Sequence, residues 1–159
     1  VSFLEYDFII LSPGPKHPDD EAPSKWLVRE FHERLPIFGI CLGHQIICSV
    51  FGAKVEKIPA PYHGTKKLIN TMPSVLFNGI GDSLFVATYN SLGVMASELD
   101  NLPLKVIAVC EEGEGEIVEA LERDEEGLPY MVSTQFHPES FLSEKSEVLI
   151  RNFLERIKR

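Results

Sequence analysis

A cysteine framed by glycines between an apolar strand and a helix constrains this chain more than any other feature. Pro36-Ile37-Phe38-Gly39-Ile40 reads as a short buried strand, and Gly43 to Phe51 reads as a helix that Gly52 ends. Cys41 stands on the turn between them, in a G-x-C-x-G pattern that is the cysteine version of a nucleophile elbow. The flanking glycines let the backbone turn without Cβ clashes, and the turn points the sulfur out of the sheet. The helix N-terminus behind it supplies free N–H groups and positive dipole, which favour a thiolate. A lone cysteine in an apolar run is more often a buried core residue. Two further segments turn the reading toward chemistry.

The first is Gln135-Phe136-His137-Pro138-Glu139-Ser140, which closes the strand-like run Tyr130 to Thr134. A thiol needs a base, and that base needs an acceptor on its other ring nitrogen. His137 and Glu139 are two apart, so in extended chain both side chains lean the same way, with Pro138 restricting the backbone between them. The second is Phe8-Ile9-Ile10-Leu11, a predicted buried strand that runs into Ser12-Pro13-Gly14-Pro15. Acyl transfer passes through an oxyanion that needs two aimed N–H donors. Neither proline has an N–H, so Gly14 is the stiffly held donor of that turn. The N–H of Leu42, next after the cysteine, is the natural second donor.

These three segments, in this order and spacing, resemble the class I (triad) glutamine amidotransferases. Within that family they are most similar to the glutaminase component of anthranilate synthase and of aminodeoxychorismate (para-aminobenzoate) synthase. Pro61-Tyr62-His63-Gly64 and Tyr89-Asn90-Ser91-Leu92 resemble two further stretches of that branch. The resemblance implies that Cys41 attacks the side-chain amide of L-glutamine, that His137 takes and returns the proton, and that Glu139 orients His137. It implies backbone donors to the oxyanion at Gly14 and Leu42, a contact of Gln45 with the bound glutamine, and Ser91 and Leu92 holding the substrate's amino-acid end. A γ-glutamyl thioester forms, ammonia leaves, and water releases glutamate. The implied partner is a synthase subunit or fused domain that uses chorismate, and no cofactor is implied.

The chain departs from the family at Asn90, where histidine is usual, at Thr88, where arginine is common, and at Lys16, where glycine is frequent. It also begins Val1-Ser2-Phe3, without the strand-helix-strand unit that precedes this point in the family. The expected organisation is therefore a single, N-terminally incomplete amidotransferase domain over residues 1–159. Two other readings share these residues. A stand-alone γ-glutamyl hydrolase uses the same Cys-His-Glu set, and an inactive regulatory relative would be expected to have lost part of it. The amino acceptor is chosen by the partner's active site, so the chain does not distinguish anthranilate from aminodeoxychorismate synthesis.

Net charge −9 argues against nucleic acid as a partner, and no apolar run approaches the roughly 20 residues that span a membrane. Cys41, Cys48 and Cys110 are an odd set at uninformative spacing. They point to a reducing compartment, here the cytoplasm, and not to a disulfide framework. No metal-ligand pattern is visible, so no metal site is expected. Acid clusters at 111–116 and 122–126 read as exposed loops around a strand, and Lys54, Lys57, Lys66 and Lys67 around His63 as a solvated surface that could also face an acidic partner. His44 is read as packing or hydrogen bonding beside the site.

Helices are predicted over 24–34, 43–51 and from Ser143 onward, with Ser143 as N-cap. Strands are predicted near 54–58, 67–70, 84–88, 104–109, 116–121 and 130–135. Apolar strands alternating with helices, followed by paired strands, indicate an α/β fold. The family resemblance adds a flavodoxin-like, mostly parallel sheet flanked by helices, with antiparallel edge strands.

Overall fold

The structure is a computed structural model that describes residues 5–59, 64–113 and 115–158. Among these residues one seven-stranded sheet runs β1-β2-β9-β8-β7-β4-β5. Its strands are β1 (Ile9–Leu11), β2 (Ile37–Ile40), β4 (Thr65–Thr71), β5 (Ser83–Thr88), β7 (Lys105–Glu112), β8 (Gly115–Arg123) and β9 (Met131–Thr134). A small second sheet pairs β3 (Glu56–Lys57) with β6 (Leu92–Gly93). The helices are α1 (Ala22–Phe31), α2 (Leu42–Val50) and α3 (Ser146–Ile157).

The α/β architecture agrees with expectation. β1, β2 and β9 are parallel, and the remaining pairings of the main sheet are antiparallel. The antiparallel part thus reaches further in from the edge than the sequence indicated. The parallel strands bring three loops to one end of the sheet. Pro13-Gly14-Pro15 follows β1, Cys41 follows β2, and Gln135 to Glu139 follows β9. Loops beyond the carboxyl ends of parallel strands are where open α/β sheets place their ligand crevices.

Helices cover both faces of β2. Ile37 packs in the cluster with Leu42, Ile46 and Ile47 of α2 and Val28 of α1. Phe38 and Ile40, on the other face, pack in the cluster with Leu149 and Phe153 of α3. The Phe153 ring lies 5.0 Å from Phe38 and 5.6 Å from Phe8. β1 is less buried than predicted, because it is a sheet edge and Ile10 remains 53% exposed.

The hairpin β4–β5 pairs with β7 only through Asn70 and Thr71. It then diverges, and its far end meets the loop after β9, where the Ala87 carbonyl accepts the N–H of His137 at 3.0 Å. Ser143 completes this junction. Its hydroxyl donates to the His137 carbonyl at 2.6 Å and accepts the Ala87 N–H at 2.9 Å. Ser143 is therefore not the cap of the last helix, which starts after Lys145 at φ 55°. A buried hydroxyl between two backbone groups outweighs a cap on a surface helix.

Two sets of charged residues lie inside the protein and not on its surface. Lys67 is buried, and its Nζ lies 3.2 Å from a carboxylate oxygen of Glu119, which is wholly buried. Alternation along β4 turns Lys66 and Leu68 outward and Lys67 inward, so the chain carries an internal cation where a solvated one was expected. Likewise Glu122 and Arg123 belong to β8 and are buried, not part of an exposed acidic loop. The Ser74 and Tyr130 hydroxyls donate to Glu122. His63, around which the lysines were expected to gather, lies outside the described residues.

Candidate functional site

The elbow is strained at the cysteine itself. Cys41 has φ 53° and ψ −102°, while neither Gly39 nor Gly43 has positive φ. Among the described residues the other non-glycine residue with positive φ is Lys145. The glycines serve close approach instead. A Cβ on Gly43 would stand 2.4 Å from the Leu11 carbonyl oxygen, and one on Gly39 would stand 2.8 Å from the Gly43 backbone. Both distances are shorter than real Cβ contacts, so helix α2 can sit against β1 and β2 only with glycine at these positions. Backbone bonds lock the turn on either side. The Cys41 N–H donates to the Thr134 carbonyl at 2.8 Å, and the Gln45 N–H donates to the Cys41 carbonyl at 3.1 Å.

Gly14 lies against Leu42, since a Cβ there would meet the Leu42 side chain at 2.8 Å. The two residues expected to supply oxyanion donors are thus neighbours, and both line a groove with Leu11, Pro13 and Lys16.

His137 and Glu139 are paired. His137 Nδ1 is 2.7 Å from a Glu139 oxygen, with the imidazole mostly buried and the carboxylate half exposed. A carboxylate can only accept, so Nδ1 carries a proton, and the tautomer this fixes leaves the lone pair of a neutral imidazole on Nε2. That Nε2 is buried and makes no hydrogen bond to any described residue, Cys41 included. Tyr89 stands edge-on against the ring, with centroids 4.8 Å apart.

The polar side-chain atom in contact with the sulfur is Gln135 Nε2, 3.7 Å from Cys41 Sγ. Gln45 Nε2 donates to Gln135 Oε1 at 3.0 Å and to the Leu92 carbonyl at 3.2 Å. Asn90 Nδ2 donates to the same carbonyl at 2.9 Å. Gln45 and Leu92, both singled out in the sequence, are therefore together. Ser91 is exposed, and its carbonyl holds the N–H of Ile58 at 3.1 Å. Gln135 was not singled out. The available signal was a run of polar residues, Ser133-Thr134-Gln135, inside a segment that must be buried on both faces.

The helix dipole does not make Cys41 a resting thiolate. Burial pushes the Cys41 thiol up to about 11, and the Glu139 and Glu119 carboxylates add to it. The Leu42 N–H and the Gln135 amide oppose this without offsetting it. Desolvation of a charge outweighs half a unit charge at a helix end. His44 is fully buried, with Nδ1 2.8 Å from the Ser133 hydroxyl, and burial holds it neutral with a pKa of about 3. It packs under the elbow, as expected. Among the described residues no group of three His, Cys, Asp or Glu side chains is arranged to hold a metal ion. Among the same residues no helix is long and apolar enough to cross a membrane.

The signature of the family Glutamine amidotransferase class-I matches residues 2–157. The chain belongs to the class I glutamine amidotransferases. It is 39% identical over 158 residues to aminodeoxychorismate synthase component 2 of Escherichia coli, covering 98% of this chain and 80% of that one. It is 35% identical over 155 residues to aminodeoxychorismate/anthranilate synthase component 2 of Bacillus subtilis, covering 98% and 76%. Among solved structures it shares its fold with a glutamine amidotransferase of Thermotoga maritima. There the TM-score is 0.75 at 18% identity, over 99% of this chain and 80% of that one. The family places a glutaminase on this sheet.

Proposed function

We propose that this chain is the glutaminase unit of a chorismate-using synthase, with Cys41 as nucleophile, His137 as base and Glu139 as the residue that orients it. The observation that carries this reading is a strained Cys41 at the head of α2 on the same end of the sheet as a buried His137 whose Nε2 makes no hydrogen bond and whose Nδ1 is held by Glu139. His137 Nε2 takes the Sγ proton as sulfur attacks the amide carbon of glutamine. The carbonyl oxygen becomes an oxyanion beside the Gly14 and Leu42 N–H groups. The intermediate collapses as His137 returns the proton to the amide nitrogen, and ammonia leaves a γ-glutamyl thioester. His137 then deprotonates water, which releases glutamate and restores the thiol. The base-to-sulfur hydrogen bond, absent in the resting chain, forms only with substrate in place, as catalytic hydrogen bonds often align only then. Gln45 contacts the bound glutamine, and Ser91 and Leu92 hold the amino acid's own amine and carboxylate.

The names of the relatives support a synthase as acceptor of the ammonia, and a biosynthetic enzyme of this kind fits the cytoplasm. The test is glutamine turnover by the chain alone, then with a chorismate-using synthase and chorismate. Low basal release of glutamate that rises on addition, and that Cys41→Ala abolishes, is expected. Full-rate turnover of the isolated chain, unmoved by any synthase, overturns the partner-dependent reading and favours a γ-glutamyl hydrolase. A diazo-ketone glutamine analogue should label Cys41 and leave Cys48 and Cys110 unmodified.

A further inference from the structure

The hydrogen bonds that reach Cys41 have their direction fixed from the far end. The Leu92 carbonyl can only accept, so the Gln45 amide must turn Nε2 toward it, at 3.2 Å. The same NH₂ group lies 3.0 Å from the Gln135 amide, and the atom facing it must accept, so it is Oε1. Gln135 is left with its own NH₂ toward the sulfur, 3.7 Å away. Asn90 holds the Leu92 carbonyl from a second side at 2.9 Å, and its Oδ1 is buried with no hydrogen-bond partner among the described residues. Gln135, Gln45 and Asn90 are each at most 4% exposed, so solvent scarcely competes for these bonds.

A thiol sulfur is a weak acceptor and a thiolate a strong one, so a donor fixed on the sulfur favours the ionised form. Apart from His137, which takes the proton itself in the proposed reaction, the other charged and titratable groups around Cys41 do not supply that help. Glu139, in the same loop as His137, and Glu119 on β8 both disfavour the thiolate. Lys67 on β4 is paired with Glu119. His44 and Cys48 on α2 are buried and neutral. Besides the Leu42 backbone, Gln135 is the group that works in the direction catalysis needs.

We propose that Gln135 is a positioning residue that aims an amide N–H at the Cys41 sulfur and, through Gln45 and the Leu92 carbonyl, ties ionisation of the nucleophile to the Asn90–Leu92 segment. This rests on the glutaminase reading above. When the Sγ proton passes to His137 Nε2, the charge left on sulfur strengthens the bond from Gln135. When sulfur bonds to the glutamyl carbon, the charge leaves and that bond weakens. The gain is therefore confined to the states in which sulfur is anionic, which include its departure from the thioester. Any movement of the Leu92 carbonyl, which sets the chain's direction, reaches the sulfur through Gln45 and Gln135.

The test uses the full chain and the pH dependence of Cys41 alkylation by iodoacetamide. Gln135→Met keeps the length and removes the donor. The alkylation midpoint should rise by about one pH unit. kcat for glutamine should fall about tenfold with KM changed less than about twofold, and the melting temperature should stay close to the parent's. Gln45→Met removes the bond that orients Gln135, so it should raise the midpoint too. The double variant should shift it no further than Gln135→Met alone, because both act on one donor. An unmoved midpoint in a folded Gln135→Met chain, or a loss carried by KM alone, overturns the inference. If Gln135→Met does not fold, an unmoved midpoint in Gln45→Met overturns it equally. A parent chain that turns over glutamine while neither variant shifts the midpoint refutes the relay alone. A shifted midpoint in a chain that never turns over glutamine, with or without a synthase, keeps the relay and refutes the glutaminase reading.

Discussion

Gly39 and Gly43 around the elbow, and Lys67 and Glu119 across the antiparallel strands, are all buried, yet they solve different problems. At the elbow the sequence removes side chains so that backbones can touch, and the strain falls on Cys41. In the antiparallel half it inserts charges and matches them. Lys67 meets Glu119, and Lys105 meets Glu122 at 3.1 Å. The first region fixes where the Cys41 sulfur stands. The second fixes the field beneath it, since Glu119 is among the groups that raise the Cys41 thiol. Position tolerates almost no change in shape, whereas field tolerates a change of shape if the charges remain balanced.

The sharpest break of this comparison is Cys41→Ala. It should lower glutaminase activity about 10⁴-fold or more while the melting temperature barely moves. Parallel losses in activity and stability would mean that the cysteine is a packing residue after all. On the charge side, Lys67→Met removes one partner of a buried pair and should destabilise the fold by about 3 kcal/mol in urea unfolding. Adding Glu119→Gln should recover much of that, and no recovery would show that the pair is not acting as a balanced unit. On the shape side, Gly43→Ala forces a methyl into the Leu11 carbonyl and should cost about 2 kcal/mol, with no second-site charge change able to restore it. Gly79→Ala is the control. It has φ +77° but open space around it, so it should cost only about 1 kcal/mol and leave activity alone.

His44 sharpens the comparison through pH. Its pKa in the folded chain is held at about 3, well below its unfolded value near 6.5. The unfolded chain therefore binds the extra proton first. The contribution of neutral His44 is fully present above about pH 6.5 and is lost progressively as pH falls toward 3, by at most about 1.4 kcal/mol per pH unit. Chemical denaturation between pH 7 and 4 should show this slope, and His44→Asn should flatten it. The smallest effect is expected at Lys66, which is exposed on β4 beside buried Lys67. Lys66→Glu should slow association with a synthase and change its salt dependence while leaving Cys41 labelling intact.

The elbow was legible because glycine-cysteine-glycine spacing has few structural solutions. The three loops at the carboxyl ends of β1, β2 and β9 followed from short apolar strands, each ending in a motif. Lys67 was misread because a lysine in a run of lysines looks solvated, and only the alternation of β4 together with Glu119 across the sheet turns it inward. Ser143 was misplaced because a serine before a helix has two uses, and the backbone of β5 claimed it. Gln135 could not be weighed from one sequence. Its role depends on Gln45 and Leu92, which are distant along the chain and adjacent only once the sheet has formed.

A thiol that burial pushes up to about 11 is overwhelmingly protonated at pH 7. Peroxide attacks thiolates, and sulfenic acid formation follows their abundance and exposure. A Cys41 that rests protonated and buried is therefore shielded from oxidants, and if it is the nucleophile proposed above, it is exposed to them mainly when ionised. Inactivation by hydrogen peroxide should accordingly be slow in the resting chain and quicken with glutamine. The burial that opposes the chemistry at rest would then act as its antioxidant.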